Sequence, residues 1–291
     1  MARVGVGEPS RTPLDLDPWQ SFRPAGSGLD SRFPAACYNG AVPASTTKRG
    51  ATQRQGAETG GPSPGPASVI AIDGPVAAGK TTVGRALAVR LGYRFLDTGL
   101  MYRAVTWLAL QRGLSLEDTA GLVALAQGLD FQVTVPGETI GETVLVGGED
   151  VTPWLRSPQV EAWVSQVSAI PGVRQALVAK QRALAKEGKT VMVGRDIGTN
   201  VLPDAPLKVY LDASPDERAR RRSSERQARG EQVDLEVARQ EMERRDRLDQ
   251  SREVAPLRKA EDARLVLTNG LSVEEVTQLL MKLAGAVSRA G

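Results

Sequence analysis

Residues Gly74-Pro-Val-Ala-Ala-Gly79-Lys80-Thr81 fit the spacing G-x-x-x-x-G-K-[ST], and this segment constrains the chain more than any other. A loop of this kind must wrap a polyphosphate with successive backbone N–H groups. Glycine permits the required φ/ψ and the close approach. The flanks agree. Ser68-Val-Ile-Ala-Ile-Asp73 reads as a short apolar strand, and TTVGRALAVRLG reads as a helix closed by Gly92. The helix directs its positive end at the anion, Lys80 supplies a point charge, and Thr81 offers a hydroxyl to Mg²⁺. The expected nucleotide-phosphate contacts are Gly74, Pro75, Val76, Ala77, Ala78, Gly79, Lys80, Thr81 and Thr82.

Four more short apolar runs follow: YRFLDTG, TVMVGRD, LKVYLDA and RLVLTNG. Helical periodicity lies between and after them, in LMYRAVTWLALQRG, LEDTAGLVALAQGL, VRQALVAKQRALAKEG, PDERARRRSSERQARG, LEVARQEMERRDRLDQSR and SVEEVTQLLMKLAGAV. Apolar strands alternating with helices imply an α/β fold, a three-layer sandwich around a central parallel sheet of five strands. FQVTVPGETIGETVLVGGEDVTPWL breaks the alternation and reads as a small antiparallel insert, turned at Gly147-Gly148. Residues 1–66, rich in Gly, Pro, Ser, Ala and Thr, show no period and are expected to be a disordered tail. Residues 67–291 then form the functional domain, with the insert at about 127–165.

The chain has no histidine, so acid–base work or metal ligation by imidazole is excluded. Its single cysteine, Cys37, allows no internal disulfide and suits a reducing, cytoplasmic setting. The opening residues hold no apolar signal region, and no run spans a bilayer. Thirty-seven Lys and Arg face 34 Asp and Glu, a balance that suits phosphate-sized ligands better than nucleic acid or a membrane surface. The Asn-Lys-x-Asp guanine-reading motif is missing.

Several segments suit a second anion. In Asp97-Thr98-Gly99-Leu100-Met101-Tyr102-Arg103, Thr98 can cap a helix. Arg103, one turn in, either grips a monophosphate or lies over Trp107. Arg195-Asp196 ends a strand, where functional groups of open α/β sheets gather. Arg195 suits phosphate, and Asp196 suits ribose, Mg²⁺ or an arginine; a structural ion pair is the other reading. Arg245, Asp249 and Arg252, at i, i+4 and i+7, share one helix face, either as a ligand site or as a solvated charged face.

From about residue 68 to residue 288 the chain resembles the bacterial-type cytidylate kinases, nucleoside monophosphate kinases of the P-loop class. The resemblance rests on DGPVAAGKTT, LDTGLMYRAVTW, SQVSAIPGVRQAL, GRDIGT, LPDAPLKVYLDAS and RRDRLDQSREVAPL, in that order. It implies that Thr98 and Arg103 contact the acceptor nucleotide, and that Ser165 and Arg174, flanking Ile170-Pro171, read the cytosine edge. It assigns Arg245 and Asp249 to the acceptor sugar and phosphates and Arg252 to the base. It also implies a short lid, about residues 218–232, whose arginines close on the transferring phosphoryl; Arg218 and Arg221 are the expected donors. Many relatives carry an acidic residue just before Gly194, where this chain has Val193, so a direct metal ligand is missing there.

The expected activity is γ-phosphoryl transfer from Mg·ATP to CMP or dCMP in pyrimidine metabolism by a monomer, with Lys80, Arg195 and Arg221 closest to the chemistry. Two alternatives stand beside it. One is a kinase acting on UMP or AMP, and the other is a P-loop switch or nucleic-acid-associated NTPase that hydrolyses ATP without an acceptor.

Overall fold

The computed structural model describes residues 69–134 and 143–290. The expected N-terminal tail lies outside these residues.

Five strands form one parallel sheet: β1 (Val69–Asp73), β2 (Arg94–Asp97), β6 (Thr190–Gly194), β7 (Leu207–Asp212) and β8 (Arg264–Leu267), in the order β2-β6-β1-β7-β8. Pairs such as Ile72 with Val193 and Ile70 with Leu207 give each central strand two hydrogen-bonded neighbours. Such strands read as continuous apolar runs because both faces are covered. On one face Ile70, Ile72, Val191, Val193 and Leu211 pack against α1 (Lys80–Leu91) and α8 (Val273–Ala290). On the other, Ala71 and Met192 pack with Val178 and Ala185 of α5 (Pro171–Ala185). These are the three expected layers. Gly84 lets α1 approach the sheet closely, since a Cβ there would lie 2.7 Å from Val193 Cγ1.

A second core holds α2 (Thr98–Gln111), α3 (Thr119–Gln127), α4 (Pro158–Val167) and α5 together through Leu100, Val105, Leu122, Val160 and Leu177. Fully burying a side chain of this size contributes about 1.5–3 kcal/mol. The expected insert is a three-stranded antiparallel sheet of β3 (Phe131–Thr134), β4 (Thr143–Val146) and β5 (Glu149–Asp150). Its described turn carries positive φ at Gly147 (59°) and Gly148 (85°), the sign that a type I′ hairpin demands. By contrast, α6 (Pro215–Gln227) and α7 (Leu235–Gln250) share only a small apolar cluster of Val76, Ala219 and Met242.

Two local expectations need correction, and one element has no counterpart among them. The cap of α2 is Asp97, whose carboxylate accepts from Gly99 N at 2.9 Å, while the Thr98 hydroxyl donates to the Val193 carbonyl at 2.9 Å. Asp97 has the extended backbone a cap needs, and its side chain reaches the free N–H of the first turn. Next, α7 stops at Gln250, so Arg252 follows the helix instead of completing its face. Finally, a π-helical turn, Ile197–Val201, follows β6 directly. Asp73 holds its start by accepting from Ile197 N and Gly198 N, both at 2.7 Å.

Among the described residues no helix is long and apolar enough to cross a membrane.

Candidate functional site

The carboxyl ends of three strands set the site. Asp73 of β1 is level with Gly194 of β6, and Asp97 of β2 is level with Val193. The chain leaves β1 toward one sheet edge and β6 toward the other, and ligands of open α/β sheets bind at such a crevice.

Residues 74–79 link β1 to α1. Gly79 precedes the helix with φ 91°, a conformation that a side chain would strain. Ala77 also has positive φ (59°), a cost of about 1–2 kcal/mol for a residue with a Cβ. The surroundings hold this strain in place. Val76 N donates to Asp246 Oδ1 at 3.0 Å, and Arg218 binds both the Val76 carbonyl, at 3.1 Å, and Asp246. The loop is thus fixed from α6 and α7. Lys80 is buried and donates to the Pro75 carbonyl at 2.6 Å. Burial, and then the charge of Arg195, hold its ammonium well below the usual lysine range. A phosphate would relieve both effects.

Opposite the loop, guanidiniums arrive from separate elements. Arg195, just past β6, donates to Asp249 at 2.8 Å and to the Gly74 carbonyl at 3.2 Å. Arg252 bonds Asp249 as well, and donates to Ser168 Oγ at 2.7 Å. Burial would raise the Asp249 carboxyl; Arg195, Arg252 and Arg245 outweigh it and hold the group below its ordinary range. Arg174 of α5 pairs with Asp196 and lies over the Tyr102 ring, 5.6 Å from its centroid. Burial pushes the Tyr102 hydroxyl up to about 12. Arg103 and Arg245 converge on Glu161 of α4, at 2.9 and 2.6 Å. Burial, followed by the charge of Arg103, pulls the Arg245 guanidinium down to about 10.

These groups line one cavity of about 580 Å³. Ten cationic side chains face it against four carboxylates, which makes it a receptor for anions. Of the expected residues, Val76, Ala77, Gly79, Lys80, Thr81, Thr82, Thr98, Arg103, Arg174, Arg195, Asp196, Arg245, Asp249 and Arg252 line it. Gly74, Pro75, Ala78, Ser165, Arg218 and Arg221 do not.

The lid arginines divide by orientation. Arg218 is a structural link between the phosphate loop, α6 and α7. Arg221 is tied to Glu217 and to the Thr268 hydroxyl and carbonyl, although its guanidinium stays near the position a Gly79 Cβ would take, at 3.7 Å. The lid arginines that face the cavity are Arg222 and Arg229. At the end of α4 it is the capping residue Ser168, not Ser165, that lines the cavity, and its hydroxyl donates to the Ser165 carbonyl at 3.0 Å.

Sequence reading passed over Asp97, Tyr102, Glu161, Ser168 and Asp246. A signal existed for three of them. Glu161 and Ser168 flank Ser165 at i−4 and i+3 on one helix face, and Asp246 sits three residues before Asp249.

The comparisons with known proteins agree with this architecture. The cytidylate kinase family model matches residues 70–286. A cytidylate kinase from Geobacillus sp. (strain WCH70) is 50% identical over 214 residues, covering 74% of this chain and 95% of the relative. A cytidylate kinase from Roseiflexus castenholzii is 51% identical over 217 residues, covering 74% and 92%. A bifunctional pantoate ligase/cytidylate kinase from Synechococcus sp. (strain JA-3-3Ab) is 48% identical over 234 residues, or 79% of this chain and 43% of that longer protein. With the family model spanning nearly all of the described domain, this chain belongs to the cytidylate kinase family.

Proposed function

We propose that the chain transfers the γ-phosphoryl group of ATP to the phosphate of CMP or dCMP, giving CDP or dCDP and ADP, as a cytoplasmic monomer. The observation that carries this reading is the meeting of a phosphate loop and the arginines Arg103, Arg195 and Arg245 in one cavity. A nucleotide hydrolase or switch needs the first; a second phosphate needs the others.

In this reading the loop and Lys80 hold the donor's β and γ phosphates, and Thr98, Arg103 and Arg245 hold the acceptor phosphate. Arg195 stands between the two groups, bonded to the Gly74 carbonyl on one side and to Asp249 on the other. An acceptor phosphate oxygen forms the new bond to the γ-phosphorus, and the bridging β–γ bond breaks toward ADP. Such a transfer needs little proton chemistry, which suits a chain without histidine. Positioning and charge neutralisation supply the rate, with lid arginines excluding water as α6 closes. Asp249 takes the sugar hydroxyls, and Arg174, Arg252, Ser165 and Ser168 read the base.

The residues present also suit Mg²⁺. A carboxylate only accepts, so the Thr81 hydroxyl gives its proton to Asp97 Oδ2 at 2.8 Å and keeps its lone pairs for a cation. Among the described residues no cluster of three acidic, cysteine or histidine groups can hold a metal. Thr81 and the donor's phosphates would therefore hold the ion, which neutralises charge that develops on the phosphoryl oxygens.

Base reading is tested by Arg174→Ala. The CMP/UMP ratio of kcat/KM should fall by about tenfold or more, the value of one good charge-assisted contact. An equal loss for both acceptors would contradict the assignment.

A further inference from the structure

We infer that Glu161 is the positioning residue that gathers Arg103, Arg222 and Arg245, from three separate helices, around the acceptor phosphate. The inference rests on the phosphoryl-transfer reading above and adds a residue to it.

The geometry is specific. Glu161 lies in the first turn of α4, with its side chain 18% exposed. Its Oε1 accepts from Arg103 Nη2 at 2.9 Å and from Arg103 Nε at 3.3 Å. Its Oε2 accepts from Arg245 Nη1 at 2.6 Å and lies 3.5 Å from Arg222 Nη2. The three arginines come from α2, α7 and α6. All three line the cavity, but Glu161 does not. The carboxylate therefore stands behind the guanidiniums and does not occupy the space the acceptor phosphate would take. Arg103 is held by one edge of its fork, and its Nη1 is turned away toward the Gly99 carbonyl at 3.3 Å.

The charge balance explains why a carboxylate is needed. Three guanidiniums collected without a counter-charge would repel one another; after burial, the charge of Arg103 is the next cause that lowers Arg245. Burial alone would raise the Glu161 carboxyl, but Arg103, Arg245 and Arg222 outweigh it and hold the group far below the usual range. The surrounding guanidiniums thus favour its ionised form. One negative charge among three positive ones leaves a surplus that a phosphate dianion completes. Arg222 belongs to α6, whose attachment to the body includes few apolar contacts. The ion pair of Glu161 with Arg222 thus links the acceptor side of the cavity to α6. Arg156, just before α4, repeats the link through Glu225 of α6, at 3.4 Å.

The test compares CMP with cytidine, which lacks the phosphate, by calorimetric titration of wild type, Glu161→Gln and Glu161→Asp. In Glu161→Gln the arginines lose their counter-charge. CMP affinity should fall by about 10-fold to 100-fold, the loss of one or two charge-assisted bonds, with cytidine affinity unchanged. Glu161→Asp keeps the charge on a shorter arm and should lose less. In turnover the KM for CMP should rise more than the KM for ATP. Equal weakening of CMP and cytidine would mean that Glu161 merely supports the fold and would overturn the inference. Tighter CMP binding in Glu161→Gln would make it a competitor and overturn it equally. A wild-type protein that binds CMP no better than cytidine would instead sink the phosphoryl-transfer reading beneath it.

Discussion

Thr81 Oγ1 and Asp97 Oδ2 lie 2.8 Å apart, joining the residue after the phosphate-loop lysine to the end of β2. The same Asp97 carboxylate caps α2 through Gly99 N at 2.9 Å. One side chain therefore fixes both the direction of the Thr81 hydroxyl and the entry of the helix that carries Arg103.

The consequence is a metal phenotype for Asp97. In Asp97→Asn the amide can still cap α2 with its oxygen. Its NH₂ then faces Thr81 and makes that hydroxyl accept, which occupies a lone pair a cation would use. The Mg²⁺ concentration for half-maximal rate should rise by about tenfold, with a thermal midpoint near wild type. A magnesium titration of initial rates checks this; an unchanged requirement would remove Asp97 from the metal's surroundings.

The lid arginines should separate into two phenotypes. Arg218→Ala leaves Asp246 buried beside the phosphate loop without its cationic partner and should cost about 3–5 kcal/mol of stability. Arg222→Ala should leave the denaturant midpoint within about 1 kcal/mol, because Glu161 and Glu225 keep other arginine partners. Its kcat should nevertheless fall by about 10² if the lid donates to the transferring group. Chemical denaturation run beside steady-state kinetics distinguishes the two.

The Glu161 carboxyl gives a pH signature. Its folded pKa is depressed below the ordinary value of 4.5, so its stabilisation is fully present above that value and is lost as pH falls through the folded pKa. The stability gap between wild type and Glu161→Gln should be constant at neutral pH, begin to shrink as pH falls to about 4.5, where the unfolded carboxyl takes up its proton, and go on shrinking toward the folded pKa. Urea midpoints measured from neutral to acid pH follow it. A gap that does not change between neutral and acid pH would place the carboxyl in the normal range.

The legible part of the molecule was the part written locally. The phosphate loop, the apolar parallel strands and the insert's Gly147-Gly148 turn depend on neighbours in sequence, and the structure bears each of them out. The partners of the charged groups were not legible. Val76 and Asp246 are 170 residues apart, and Arg103 and Glu161 are 58 apart, so no local spacing announces either bond. A run such as Arg220-Arg221-Arg222 shows that cations are present, and helix phase decides which one faces the cavity. Asp97 outcompeted Thr98 as the cap because Thr98 is drawn to the Val193 carbonyl of the neighbouring strand. The strand order, with β6 inserted between β1 and β2, is likewise a tertiary fact.

The most direct test of the central claim is ADP formation from Mg·ATP by the purified protein, with CMP, dCMP, UMP, AMP, GMP or no acceptor added. Strong stimulation by CMP and dCMP, and little by the others, is the result predicted by a phosphate loop facing an arginine-lined acceptor site. ADP release at the same rate without any acceptor would contradict it and leave a nucleotide hydrolase in its place.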